Sequence, residues 1–112
     1  MQEFLDYIRK GEFRIYVCAS CKKIIWPPSQ YCPECLSKAD LKKIEGKGIL
    51  LEFTFSYLKN IEGVFGIVDM SGISLVGSVF GRPLRHGMEV TMIKCGINSD
   101  GGIFYHFKGH KV

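Results

Sequence analysis

The sequence has no apolar run approaching the roughly 18 residues that a membrane-spanning helix requires. Its first residues, Met1-Gln2-Glu3-Phe4-Leu5-Asp6, carry acids and lack the basic-then-apolar order of a secretory signal. Both absences point to the cytoplasm, where thiols stay reduced and disulfides are rare. Nor is any tract polar enough to remain disordered, because the chain is 46% hydrophobic and only 23% charged. There is no block of one charge sign: Lys22-Lys23, Lys42-Lys43 and Arg82/Arg85 lie scattered, a weak footprint for nucleic acid.

Catalytic signatures are also missing. The glycines match neither a phosphate-binding loop nor a dinucleotide fingerprint. His86, His106 and His110 share no spacing that suggests a metal or a triad, and each reads as a solvated or hydrogen-bonded side chain. Asp69, Glu89 and Asp100 fall in separate segments and form no carboxylate pair along the chain. The residues nominate no nucleophile or base, so the expectation is a protein that is not an enzyme.

What the sequence does have is five cysteines, four of them in matched pairs: Cys18-x2-Cys21 and Cys32-x2-Cys35, ten residues apart. Zinc takes four ligands tetrahedrally, and two intervening residues let a tight turn aim both sulfurs of a pair inward. Pro33 presets φ inside the second pair. Two disulfides would need an oxidising compartment, and a redox pair would explain only one of two matching motifs. The expected cofactor is one structural zinc, with all four positions filled by sulfur and none left for water or substrate. Counting that site as two negative charges lowers the formal +4 of the chain to about +2. The fifth cysteine, Cys95, lies in a strand pattern on the same face as Ile93 and reads as a small buried apolar residue.

The chain is expected to be mainly β in two parts, 1–44 and 45–112. Residues 2–10 suit a short helix, with Phe4, Leu5 and Ile8 on one face and Gly11 as its stop. Glu12 to Val17 alternates like a strand, with Phe13, Ile15 and Val17 on one side, and runs into Cys18. The polar stretch from Leu36 to Ile44 reads as a linker. Beyond it five strands follow: a long first one with Leu51, Phe53, Phe55 and Tyr57 on one face, then Val64–Asp69, Ile73–Phe80, Glu89–Cys95 and Ile103–Lys108. Turn residues separate them, the first group being Asn60 to Gly63, and Gly46 and Gly48 suit a bend or bulge at the start. Five such strands fit a small oligonucleotide/oligosaccharide-binding (OB) barrel or an SH3-like one, which periodicity does not separate.

Two aromatic groups bear on partners. Phe53, Phe55 and Tyr57 oppose Glu52, Thr54 and Ser56, so the rings are expected inside the barrel, while Phe104, Tyr105 and Phe107 have no cleanly polar opposite face. The alternative function, a single-stranded nucleic-acid-binding ribbon and barrel, rests on such rings. Trp26, held by Pro27-Pro28, is either a rigid apolar anchor for a partner or a cover packed on Tyr16 or Tyr31. Phe4 and Ile8 of the helix are further candidates for a partner contact, or for docking on the barrel.

The order of these pieces resembles the thiolase-associated proteins of domain-of-unknown-function family thirty-five. It is carried by Cys18-Ala19-Ser20-Cys21, Trp26-Pro27-Pro28, Tyr31-Cys32-Pro33-Glu34-Cys35, Gly46-Lys47-Gly48, Thr54-Phe55-Ser56 and Leu84 to Val90, nearly the whole chain. Lys22 stands where that family usually has glycine, and Ser29 where a basic residue often follows the prolines. The resemblance implies a rubredoxin-like zinc ribbon plus an OB-fold. It also implies a scaffold subunit in acyl-CoA metabolism, bridging or supporting a thiolase and a hydroxymethylglutaryl-CoA synthase, or pairing with lipid-transfer-type thiolases or aldolases. The barrel would then approach the coenzyme A moiety.

Overall fold

A computed structural model describes residues 2–56, 63–81 and 83–109, which divide into two compact units, 1–45 and 46–112. Tyr57, Arg82, His110 and most of the expected Asn60–Gly63 turn lie outside the described residues. Among the described residues no helix is long and apolar enough to cross a membrane.

The first unit opens with α1 (Gln2–Arg9), which carries Glu3 in its first turn and Arg9 in its last, both favourable to the helix dipole. Gly11 ends it at φ 80°: its N–H reaches the Ile8 carbonyl, and the Glu12 N–H reaches the Tyr7 carbonyl. That pair of bonds is a Schellman cap, which favours glycine in the left-handed position. The helix packs on β1 (Arg14–Cys18), where the Phe4 ring stacks on Tyr16 with centroids 6.3 Å apart. β1 is the centre of an antiparallel sheet between β2 (Ile24–Ile25) and β3 (Ala39–Lys43). The expected linker is therefore partly a strand. β3 pairs with β1 from Ala39 opposite Cys18 to Lys43 opposite Arg14, yet only Ala39 on it is buried. An exposed edge strand gains its backbone bonds without burying side chains, so its sequence stays polar.

The second unit is a closed five-stranded barrel of β4 (Lys47–Ser56), β5 (Gly63–Met70), β6 (Ile73–Phe80), β7 (Glu89–Ile97) and β8 (Ile103–Gly109). Its order is β4-β5-β6-β8-β7, with β4 pairing to β7 to close it and only β6 and β8 parallel. First strand paired with second and fourth, and third beside fifth, is the OB topology, which decides between the two barrels. Leu50, Val68, Met70, Val90 and Phe107 fill the interior. Gly77 is obligatory, because a Cβ there would run into the Tyr105 carbonyl of the adjacent strand.

Two bulges correct the expected faces. On β4 the register shifts between Leu50 and Glu52, leaving Leu51 unpaired and 42% exposed. Leu50 pairs with buried Val68, while Phe53 pairs with Gly66 and Phe55 with Val64. Phe53 and Phe55 thus share the face of Leu50 rather than that of Leu51. They stand beyond the packed interior, however: Phe55 is 53% exposed and both line an apolar cleft of about 430 Å³ with Val64, Val79 and Leu84. A second bulge between Met92 and Lys94 turns Ile93 outward while Cys95 stays buried opposite Tyr105. One inserted residue reverses alternation, and no composition rule locates it.

Candidate metal centre

β1 delivers Cys18 at its end, and a turn then brings Cys21 back, with the Cys21 N–H directed to the Cys18 sulfur at 3.4 Å. The Lys22 N–H bonds the Cys18 carbonyl at 3.0 Å and the Cys18 N–H bonds the Lys23 carbonyl at 2.9 Å. The second knuckle repeats this. The Leu36 N–H bonds the Cys32 carbonyl and the Cys32 N–H bonds the Ser37 carbonyl, each at 2.9 Å. In both, the residue after the second cysteine is left-handed: Lys22 at φ 63° and Leu36 at φ 60°. Glycine suits that conformation best, so the resembling family's glycine at position 22 has a backbone reason and Lys22 sits there at a cost.

The four sulfurs lie within 4.8 Å of one another, with Cys18–Cys35 at 3.4 Å and Cys21–Cys32 at 3.8 Å. Four sulfurs about 2.3 Å from a tetrahedral zinc would stand roughly 3.8 Å apart, so the cluster has the right size for one ion. Cys18 and Cys32 are buried and Cys21 and Cys35 exposed. The sulfurs divide their protons unequally. Hydrogen bonds from the Ser37 hydroxyl and N–H lower Cys35 to about 6. Cys21 goes up to about 11 despite a backbone hydrogen bond that opposes the rise, because its sulfur neighbours, Cys18 first, disfavour another thiolate. A divalent cation removes that conflict by holding all four as thiolates. The four cysteines are thus positioned to bind one metal ion. The Lys23–Glu34 ion pair links the two knuckles across the exposed side.

The remaining candidates are distributed differently. Trp26 is half-buried, and its ring meets Phe4 and Phe13 edge-on, both at 6.3 Å, rather than Tyr16 or Tyr31. Phe4 and Ile8 are 1% and 0% exposed. They are spent on the unit's own core, so the expectation that they contact a partner is corrected. Pro27 is exposed and Pro28 half-buried. Trp26, Pro27, Ile24 and Pro33 line a groove of about 300 Å³ that reaches the metal ligand Cys32. Sequence reasoning missed this groove, because Ile24 and Pro33 come beside Trp26 only once the two knuckles are folded together.

Residues 6–41 match the family model described as the ChsH2 rubredoxin-like zinc ribbon domain. No curated protein matches the chain. A solved structure described as the Ltp2-ChsH2(DUF35) aldolase aligns with a TM-score of 0.76 at 20% identity, covering 96% of this chain and 92% of that one. A DUF35-family protein of unknown function from Sulfolobus solfataricus aligns at 0.65 and 15% identity, covering 97% and 84%. The first likeness corrects the expectation that the chain is not an enzyme: the same fold, almost end to end, occurs in a structure described as an aldolase. A sulfur-filled site and a missing catalytic motif therefore do not set this fold apart from catalysis. Residues 6–41 thus match a rubredoxin-like zinc ribbon model, and the chain as a whole shares the ribbon-and-barrel fold of these two DUF35 structures.

Proposed function

We propose that this chain is a zinc-bearing subunit of a lipid-metabolism enzyme complex, working in the cytoplasm with a thiolase-like partner on acyl-CoA substrates. The observation that carries the reading is the full-length likeness to the DUF35 chain in an assembly described as an Ltp2-ChsH2 aldolase. The ribbon supplies the docking surface in this reading. Cys18, Cys21, Cys32 and Cys35 hold a zinc ion that fixes both knuckles, and the groove of Trp26, Pro27, Ile24 and Pro33, with Pro28 next in the chain, then receives an apolar side chain of the partner. The zinc supplies rigidity, and its four sulfurs leave no position for substrate. The sequence resemblance adds a finer form, in which the subunit bridges a thiolase to a hydroxymethylglutaryl-CoA synthase and the barrel approaches coenzyme A.

Purification from the native source, with the co-eluting proteins identified by mass spectrometry, tests the reading. A thiolase-like enzyme in stoichiometric amount is the expected result, and its turnover should fall when this chain is stripped away. A chain that elutes alone, with no effect on any such enzyme, contradicts it. Trp26→Ala should weaken the assembly by about 2 kcal/mol, the range of an interface anchor. Zinc content of the variant separates a lost contact from a lost fold, and unchanged affinity removes Trp26 from the interface.

A further inference from the structure

The outer face of the barrel carries rings and cations that no part of the complex reading uses. Phe80 ends β6, and its ring meets His106 of the adjacent β8 at 5.3 Å. His106 in turn lies 5.0 Å from Phe104, two residues earlier on the same strand. The three rings form one stepped platform, Phe80 standing edge-on to His106 at 69° and Phe104 tilted 42° against it, and Phe80 is 47% exposed. Phe104 is held flat by the bare backbone of Gly96 on β7, where a Cβ would come within 2.6 Å of the ring. Any other residue at 96 would lift the ring off the sheet.

Cations border this platform. Lys94 pairs with His106 across β7 and β8, and its ammonium stands 5.9 Å from the centre of the Phe104 ring. Lys108 pairs with Phe80 across β6 and β8 at the other end. Neither β6 nor β8 contains an acidic residue. On β7 the one acidic residue is Glu89, at the start of the strand, and cations set beside aromatic rings on the rest of the face complement a ligand that alternates planar bases with negative charge. Stacking on rings beside lysines is how single strands bind without base-specific bonds. The face also includes the third strand of the barrel and abuts the loop between its fourth and fifth strands, a region OB-folds use for such ligands.

We propose that this face of β6, β8 and β7 binds single-stranded nucleic acid, with bases on Phe80, Phe104 and His106 and phosphates on Lys94 and Lys108. The inference does not rest on the acyl-CoA reading, since it uses no ribbon residue and no residue which that reading assigns to coenzyme A. A fluorescein-labelled fifteen-residue oligo-dT, titrated with the zinc-loaded full chain and followed by anisotropy, tests it. Saturable binding at 25 mM salt is expected, with a log–log salt slope near −1.4 for two neutralised phosphates at about −0.7 each. Phe104→Leu keeps a side chain over Gly96 but removes the π-face, and should weaken binding at least fivefold, the low end for one stacked base. Lys94→Ala should lower the slope by about 0.7. No binding at 25 mM salt overturns the proposal. So does equal binding of duplex DNA, or of a single nucleotide, or binding unchanged in both variants while circular dichroism shows them folded.

Discussion

Leu36 offers a clean test of how the knuckles are built. It adopts φ 60° immediately after the last metal ligand while its side chain is 77% exposed, so replacing it removes almost no packing. A side-chain-bearing residue in the left-handed region costs about 1 kcal/mol or more relative to glycine. Glycine's larger freedom in the unfolded chain returns a part of that, about 0.4–1 kcal/mol. Leu36→Gly should therefore stabilise the folded ribbon by about 0.5–1 kcal/mol. Because the metal binds the folded ribbon, the gain should emerge as a two- to fivefold tighter apparent zinc affinity in chelator competition. Leu36→Ala is the control: it trims the side chain but keeps the backbone cost, so its affinity should not move. Lys22→Gly relieves the same backbone cost at φ 63° but also removes a positive charge beside the thiolates, and should gain less. If Leu36→Gly bound zinc no more tightly than Leu36→Ala, the left-handed residue would not be a cost and the reasoning would fail.

Two further outcomes concern the barrel. Gly77→Ala forces a methyl group against the Tyr105 backbone, which cannot yield without opening the β6–β8 pair, and should cost about 3 kcal/mol in urea unfolding. An unshifted midpoint would refute that close approach. Burial, with a smaller contribution from Cys95, pushes Tyr105 up to about 12, against about 10 in an unfolded chain. A folded pKa above the unfolded one gives stability that is complete below pH 10 and lost as pH climbs from 10 to 12, up to ~3 kcal/mol. Tyr105→Phe should flatten that alkaline loss in thermal scans, and an identical profile would show that Tyr105 is not its source.

The metal centre was the most legible part of the sequence, because the chemistry of four thiolates dictates local spacing and local spacing is visible. Five strands and a helix were legible for a similar reason, since alternation and turn residues act over a few positions. Long-range pairing was not. β3 hides in a polar stretch because its partner β1 asks only for backbone bonds. Phe53 and Phe55 change neighbours because Leu51 is a bulge. Trp26 meets Phe4 and Phe13, respectively 22 and 13 residues distant along the chain, a contact created when helix and knuckle fold together.

A metal held by four sulfurs underlies the folded ribbon and its proposed docking surface, and X-ray absorption at the zinc edge of the purified chain tests that most directly. One zinc per chain with four sulfurs at about 2.3 Å is the predicted result. A shell containing oxygen or nitrogen in place of one sulfur, or a chain that retains no zinc after dialysis, would contradict it.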